Sequence, residues 1–91
     1  MRIARRFLIS GEVQGVGYRY FAQRSSARHQ VRGYVKNLKD GRVEVVVEGS
    51  ERAVHEFLRD LAAGPHHSRV GTIEELVIEP SGLYPSFRIE R

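Results

Sequence analysis

The stretch Gly11–Arg19 constrains the fold of this chain most, because it must join an apolar strand to a helix through three glycines. Glycine accepts positive φ and lets other groups approach the backbone closely, so such a turn can direct consecutive N–H groups inward as an anion-binding nest. The following helix adds unpaired N–H groups and the positive end of its dipole. Arg19 adds a fork of donors that fits phosphate oxygens. The stretch predicts a cradle for a tetrahedral anion; a plain strand-to-helix turn with a solvated arginine is the alternative.

Strand and helix patterns follow one another in the order β-α-β-β-α-β, with a short strand added. Alternating or apolar runs predict the strands, and apolar residues at i, i+3 and i+4 predict the helices. Asp40-Gly41 predicts a hairpin, Ser50 a helix N-cap, and Gly64-Pro65 the end of the second helix. The predicted strands are 6–13, 31–38, 43–48, 70–79 and a short one near 87–89, with helices over 18–29 and between residues 50 and 64.

This order predicts an α+β fold, a ferredoxin-like βαββαβ sandwich with two helices on one face of an antiparallel or mixed sheet and a short extra C-terminal strand. Right-handed crossovers bring the first and third strands together at its centre. Leu8 lies opposite Phe7 and Ile9, which predicts that the first strand is buried on both faces. With 91 residues, 41% of them hydrophobic, we expect one core and one domain over residues 1–91.

The composition excludes cysteine chemistry and favours anionic partners. There is no cysteine, hence no disulfide, thiol nucleophile or cysteine zinc site. The net charge is +4, and thirteen of the fifteen basic residues are arginine, which suits phosphorylated metabolites or nucleic acid. The arginines are scattered, as is typical of a solvated surface. Because the apolar runs are too short to cross a bilayer and charge follows Met1, we expect a cytoplasmic protein without membrane association.

Several kinds of chemistry do not fit the motifs. The glycines do not continue as the G-x-G-x-x-G of a dinucleotide site, and no Gly-Lys-Ser/Thr follows them as in a P-loop. His66-His67 lies in a predicted helix-exit loop without further ligands at suitable spacing, so we expect no metal site. No obvious general acid/base pair is visible among the acidic residues, although folding could bring one together.

Asn37 is a second polar residue of interest. It closes the second predicted strand just before the hairpin, although asparagine is depleted in strands. An ordinary strand-end or turn asparagine is one interpretation. In the ferredoxin-like arrangement this strand end need not lie far from the glycine loop, and an amide there could hold a water with its oxygen and an anion with its NH₂.

Gly11–Arg19 and Gly33–Asn37 resemble the two signature segments of the acylphosphatases, and the likeness extends over essentially the whole chain, including the Asp-Gly hairpin and Phe87-x-Ile89. The resemblance implies hydrolysis of carboxyl-phosphate anhydrides to carboxylate and inorganic phosphate, without metal or cofactor. It also implies that inorganic phosphate is both product and inhibitor. We expect a monomer that binds no nucleic acid.

The resemblance also implies roles for particular residues. The arginine role falls on Arg19 and the asparagine role on Asn37. The phosphate cradle falls on consecutive backbone groups, those of Gln14, Gly15, Val16, Gly17, Tyr18 and Arg19. Since no suited nucleophile is present, we expect direct attack of water rather than a covalent intermediate.

Four positions depart from the family pattern. Tyr18 stands where phenylalanine is frequent, and Tyr34 where tryptophan is frequent; both keep an aromatic ring. The first helix ends at His29-Gln30 without the usual glycine, which makes a left-handed cap less comfortable. The usual C-terminal aromatic residue is missing, since the chain ends Ile89-Glu90-Arg91.

Two other functions are open to this pattern. RNA-recognition domains share the strand order, and Arg32-Gly33-Tyr34 begins like their aromatic motif; the motif then fails at Val35-Lys36, and it lies on strand two instead of strand three. The chain is also similar to the carbamoyl-phosphate-handling N-terminal part of hydrogenase-maturation carbamoyltransferases. In that case it would act as a free-standing hydrolase.

Overall fold

Seven elements follow one another in the computed structural model, which describes all residues, 1–91. They are β1 (Arg2–Glu12), α1 (Tyr18–His29), β2 (Arg32–Asn37), β3 (Val43–Ser50), α2 (Glu51–Ala63), β4 (Arg69–Ile78) and β5 (Phe87–Glu90). The order matches the one that the sequence predicts, including the short last strand. Neither helix has the length and apolar character that a membrane crossing requires.

The five strands form one mixed sheet in the order β4-β1-β3-β2-β5. β1 pairs antiparallel with β3 and β4, and β2 pairs antiparallel with β3. β5 pairs parallel with β2 at the far edge. The predicted adjacency of the first and third strands, and with it the ferredoxin-like arrangement, is confirmed.

Both helices pack on one face of this sheet and close a single core. Val54, Phe57 and Leu61 of α2 recur at helical spacing and are completely buried, as expected for an amphipathic helix that covers a sheet. From α1, Tyr18 and Ala22 enter the same core. The strand residues of this core alternate with outward-facing ones and include Phe7, Ile9, Val35, Val43, Val45 and Val47. The core holds the glycine loop at the end of β1 and the hairpin after β2 at fixed positions.

The prediction that β1 is buried on both faces is wrong. Leu8 is half-buried and Arg6 is exposed, because no helix covers the outer face of the sheet. The outer side chains of β3 are nevertheless buried, with Glu44 at 7% and Glu48 at 2% exposure. Arg6 covers Glu44 with a 2.7 Å ion pair, and the segment that leads to β5 covers Glu48.

The ends of the elements explain the remaining differences. β1 begins at Arg2 rather than Arg6, because β3 extends to Ser50 and pairs with residues 2–5. Ser50 caps α2 as predicted, its hydroxyl accepting a hydrogen bond from the Ala53 N–H at 3.2 Å. α1 ends at His29, and its C-cap is Gln30, the one non-glycine residue with positive φ (55°). The left-handed cap that usually favours glycine is therefore formed by a glutamine.

Candidate active site

The glycine loop, residues 13–17, connects the end of β1 to the start of α1 and bends through two left-handed residues. Gly15 has φ 75° and Gly17 has φ 79°. A Cβ atom added at either position would meet nothing within 4 Å. Backbone conformation, and not space, therefore demands glycine at these two positions.

The N–H groups of residues 15–20 are left without backbone partners. Gly17 is the N-cap of α1, and its carbonyl accepts the first helical bond, from the Phe21 N–H at 3.0 Å. No N–H from Gly15 to Tyr20 donates any of the hydrogen bonds formed outside the helices and strands, and no side chain accepts from them. Consecutive free donors at a helix N-terminus form a ready site for an anion.

Arg19, at the start of α1, is half-buried without an acidic partner. Two other arginines are half-buried, and both are paired: Arg5 with Glu75 at 3.1 Å and Arg42 with Asp40 at 2.8 Å. The only hydrogen bond from the Arg19 guanidinium is a long one, from Nη1 to the Glu90 carbonyl at 3.4 Å. Most of its donor fork is free to bind an anion.

Asn37, the last residue of β2, carries the only buried side-chain polar atom without a hydrogen bond. That atom is its amide oxygen, Oδ1. Buried polar atoms are nearly always paired in folded proteins. An asparagine with only a structural role at the end of a strand could expose its amide to solvent, whereas the amide oxygen of Asn37 is buried without a partner. An unpaired acceptor at this position is what a water- or substrate-binding group requires.

The glycine loop, Arg19 and Asn37 line one cleft of about 220 Å³. Of the predicted cradle residues, Gly15, Gly17 and Tyr18 line it together with Arg19. Gln14 and Val16 do not; Val16 packs against the core. Val13 and Tyr20 complete the lining, and neither was predicted as a site residue.

Two larger hollows lie elsewhere and are more open. One, of about 650 Å³, lies between the second half of α1 and the edge strand β5, and includes Arg2 and Arg32. The other, of about 460 Å³, is lined by His29, Glu56, Arg59 and Asp60. Neither contains the free backbone donors or the unpaired amide oxygen, so we place the candidate site in the smaller cleft.

The side chains of Gln14 and Tyr18 make contacts that the sequence did not predict. Gln14 donates from Nε2 to the carbonyls of Leu38 and Arg42, both at 2.8 Å. Tyr18 donates its buried hydroxyl to the Leu61 carbonyl at 2.6 Å, and burial raises the pKa of that hydroxyl well above its ordinary value. A buried tyrosine needs a partner for its O–H, which is the signal that could have indicated a contact for Tyr18. Gln14 offered no such signal.

No group of three or more His, Cys, Asp or Glu side chains comes together in a way that could hold a metal ion. His66 and His67 pack edge to face in the loop after α2, with their ring centroids 4.7 Å apart. Both are exposed and lie outside the cleft.

The fold is that of an α+β protein with a ferredoxin-like sheet, and a cleft lined by the glycine loop, Arg19 and Asn37 lies at the end of its first strand. The family model described as "Acylphosphatase" matches residues 5–89. An acylphosphatase of Deinococcus radiodurans is 47% identical over 76 residues, which are 84% of this chain and 87% of that protein. This chain belongs to the acylphosphatase family, and the reaction it catalyses is the hydrolysis of acyl phosphates to carboxylate and phosphate.

Solved structures agree with this assignment. The crystal structure of acylphosphatase from Bacillus subtilis superposes with a TM-score of 0.94 at 35% identity, and the match covers 100% of both chains. A full-length HypF in a phosphate- and nucleotide-bound form matches with a TM-score of 0.91 at 30% identity, covering all of this chain but 12% of HypF. The predicted family, fold class and enzyme activity are confirmed.

Proposed function

We propose that Arg19 and the free N–H groups of residues 15–20 bind the phosphoryl group of an acyl phosphate, and that Asn37 orients the attacking water. The observation that carries this division is the pairing pattern in one cleft. Its loop N–H groups are unpaired, the Arg19 guanidinium makes only one long hydrogen bond, and its buried acceptor, Asn37 Oδ1, is unpaired as well. Donors suit phosphoryl oxygens, and an acceptor suits a water proton.

Hydrolysis of an acyl phosphate requires few protein groups beyond this arrangement. Water attacks phosphorus in line, the P–O bond to the acyl group breaks, and the carboxylate leaves with the bonding electrons. A phosphoryl oxygen of the substrate takes the proton that water loses, so no protein base is needed. The chain contributes positioning and stabilisation of negative charge on the phosphoryl oxygens by preorganised donors. Because the product phosphate fits the same donors, it acts as an inhibitor.

No observation favours an RNA-binding function. RNA-recognition domains stack bases on aromatic side chains of their sheet face, with the main motif on the third strand. The outward-facing positions of β3 carry Glu44, Val46 and Glu48. Tyr34, on β2, donates its hydroxyl to Glu44 at 3.1 Å. Burial and this bond raise the pKa of Tyr34 to about 12. β3 therefore presents no aromatic ring on which a base could stack.

The test is phosphate release from acetyl phosphate with and without exhaustive chelation, with inorganic phosphate as the competing ligand. We expect turnover that survives chelation and competitive inhibition by phosphate. Turnover that chelation abolishes and zinc or magnesium restores would show that the roles proposed here for Arg19, the loop and Asn37 are wrong.

We also propose that residues 1–91 act as one domain, as a monomer and in the cytoplasm. Sedimentation of the purified chain tests the assembly state.

A further inference from the structure

Gln14 lies in the glycine loop, between the buried Val13 and the first glycine of the loop, Gly15. Its side chain turns away from the cleft towards the β2–β3 hairpin. The two hydrogens of its NH₂ group reach two carbonyl oxygens, those of Leu38 and Arg42, each at 2.8 Å. A carboxamide can make two such donations at once, whereas a carboxylate or an apolar side chain cannot.

The two carbonyls that Gln14 binds are the two ends of the hairpin turn. The Leu38 N–H donates to the Arg42 carbonyl at 2.8 Å, and the Gly41 N–H donates to the Leu38 carbonyl at 3.2 Å. Gln14 therefore adds a third set of contacts to a turn that is already closed. It adds little to the closure of the turn itself, and what it fixes is the position of the turn relative to the glycine loop.

The Gln14 side chain makes the only hydrogen bonds between the glycine loop and the β2–β3 hairpin. β1 and β2 are not neighbours in the sheet, since β3 lies between them. No backbone hydrogen bond joins residues 13–20 to residues 37–43. Leu38 directly follows Asn37, so the first carbonyl that Gln14 binds belongs to the residue next to the proposed water-binding amide.

We infer that Gln14 is a positioning residue, whose carboxamide sets the distance between the phosphate cradle and Asn37. This inference rests on the proposed function of those two groups. A phosphoryl group held by the loop and a water held by the hairpin must meet in line, and a displacement of about 1 Å between them can lower the rate by about 10²-fold. Gln14 acts on the rate through this distance and touches no reacting atom.

The experiment compares Gln14→Met, which keeps the length and loses both donors, with Gln14→Glu, which places a carboxylate against two carbonyl oxygens. Acetyl phosphate turnover, inhibition by inorganic phosphate and the urea midpoint are measured on each preparation. We expect kcat to fall by about 10-fold for Gln14→Met and further for Gln14→Glu, as misplacement of reacting groups would cause. The inhibition constant for phosphate should change less than about threefold, since the loop donors and Arg19 are untouched.

The matched control is Gln23→Met on the exposed side of α1, where Nε2 makes one long contact to the Phe87 carbonyl at 3.4 Å. This variant should keep its kcat. An unchanged kcat per folded molecule in Gln14→Met, with a lowered urea midpoint, would show that Gln14 only stabilises the contact between the glycine loop and the hairpin, and would overturn the inference. Parallel loss of kcat and phosphate inhibition would show that the cradle itself had collapsed, and would also overturn the inference.

A double-mutant cycle separates this inference from the proposed function. If Gln14 acts through Asn37, Gln14→Met should cost little further in an Asn37→Ala background, because residues that act as a unit are non-additive. Additive losses would contradict the role of Gln14 and leave that of Asn37 intact. No loss from Asn37→Ala alone would contradict the proposed function itself.

Discussion

The polar cluster around Asp60 and the candidate active site differ in how completely their hydrogen-bonding groups are paired. Asp60, on α2, has its Oδ2 within 2.9 Å of three groups on α1: the Ser25 hydroxyl, the Arg28 guanidinium and Nε2 of His29. In the candidate site the Asn37 oxygen has no partner, and Arg19 has one long contact. Both regions use α1 and both combine cationic and acceptor groups.

This difference separates groups that hold the fold together from groups that are available to a ligand. Burial of the Asp60 carboxyl acts to raise its pKa, but the hydrogen bonds from Ser25, His29 and Arg28 outweigh it and lower the pKa to about 2. A saturated carboxylate of this kind stabilises the fold. Unpaired groups contribute little to stability or are unfavourable when no ligand is bound, which supports the proposal that they bind one.

The largest effect should come from Arg19→Lys, which keeps the charge of the unpaired cation and removes its planar fork. By comparison with the loss of one oxyanion contact, we expect a cost of about 3–4 kcal/mol in kcat/KM, that is, about 10²–10³-fold. Inhibition by phosphate should weaken as well, while the urea midpoint stays near that of the parent. Arg24→Lys, at an exposed position of the same helix, is the control. A near-normal rate for Arg19→Lys would remove Arg19 from the site.

Asn37→Ala tests the acceptor side of the comparison. If the amide orients water, kcat and kcat/KM should fall together with little change in KM, and phosphate inhibition should persist. Because the buried oxygen has no partner to lose, we expect the free energy of unfolding to change by about 1 kcal/mol or less. A turn residue would behave in the opposite way, with lower stability and full turnover per folded molecule. Measuring turnover and the urea midpoint on one preparation distinguishes the two.

The sequence predicts the fold and most of the site from local signals. The glycines at 15 and 17, the Asp40-Gly41 hairpin and the Ser50 cap each depend on backbone conformation or on neighbours a few residues away. Such preferences can be recognised without knowing the rest of the structure. The element order then determines the sheet.

What could not be predicted depends on which distant groups meet. The contacts of Gln14 with residues 38 and 42 arise only when the hairpin folds back over the glycine loop. The half-burial of Leu8 depends on which face the two helices leave uncovered. The sequence could not show that Arg19 has no acidic partner. Arg5 pairs with Glu75, far along the sequence, and Arg42 with Asp40, across a turn, so only the structure shows which arginines are paired.

Asp60→Asn should break the saturated cluster and leave the active site intact. We expect a loss of about 1–2 kcal/mol of stability near neutral pH and unchanged kcat. Because the folded pKa is about 2 and the ordinary value is 3.8, the contribution is present above about pH 4 and is lost as the pH falls through 2. The difference in urea midpoint between the variant and the parent should therefore shrink over that range. Glu79→Gln, at an exposed position after β4, controls for the lost charge; an Asp60 effect that persists at pH 2 would contradict the assignment.

The smallest effect concerns the end of α1, next to the saturated cluster and away from the site. Gln30 holds φ 55° and ψ 45°, and its N–H donates to the Ser26 carbonyl. A non-glycine residue in this region costs about 1–2 kcal/mol, and the greater freedom of glycine in the unfolded chain offsets part of the gain. We expect Gln30→Gly to stabilise the protein by about 0.5–1 kcal/mol, or about 2–8 °C in Tm for a domain of this size. The same change at Gln23, inside the helix, should destabilise it by about 1 kcal/mol. If both variants lose stability, the left-handed strain at Gln30 is compensated by contacts of its side chain; if kcat also changes, the end of α1 is coupled to the cleft at its beginning.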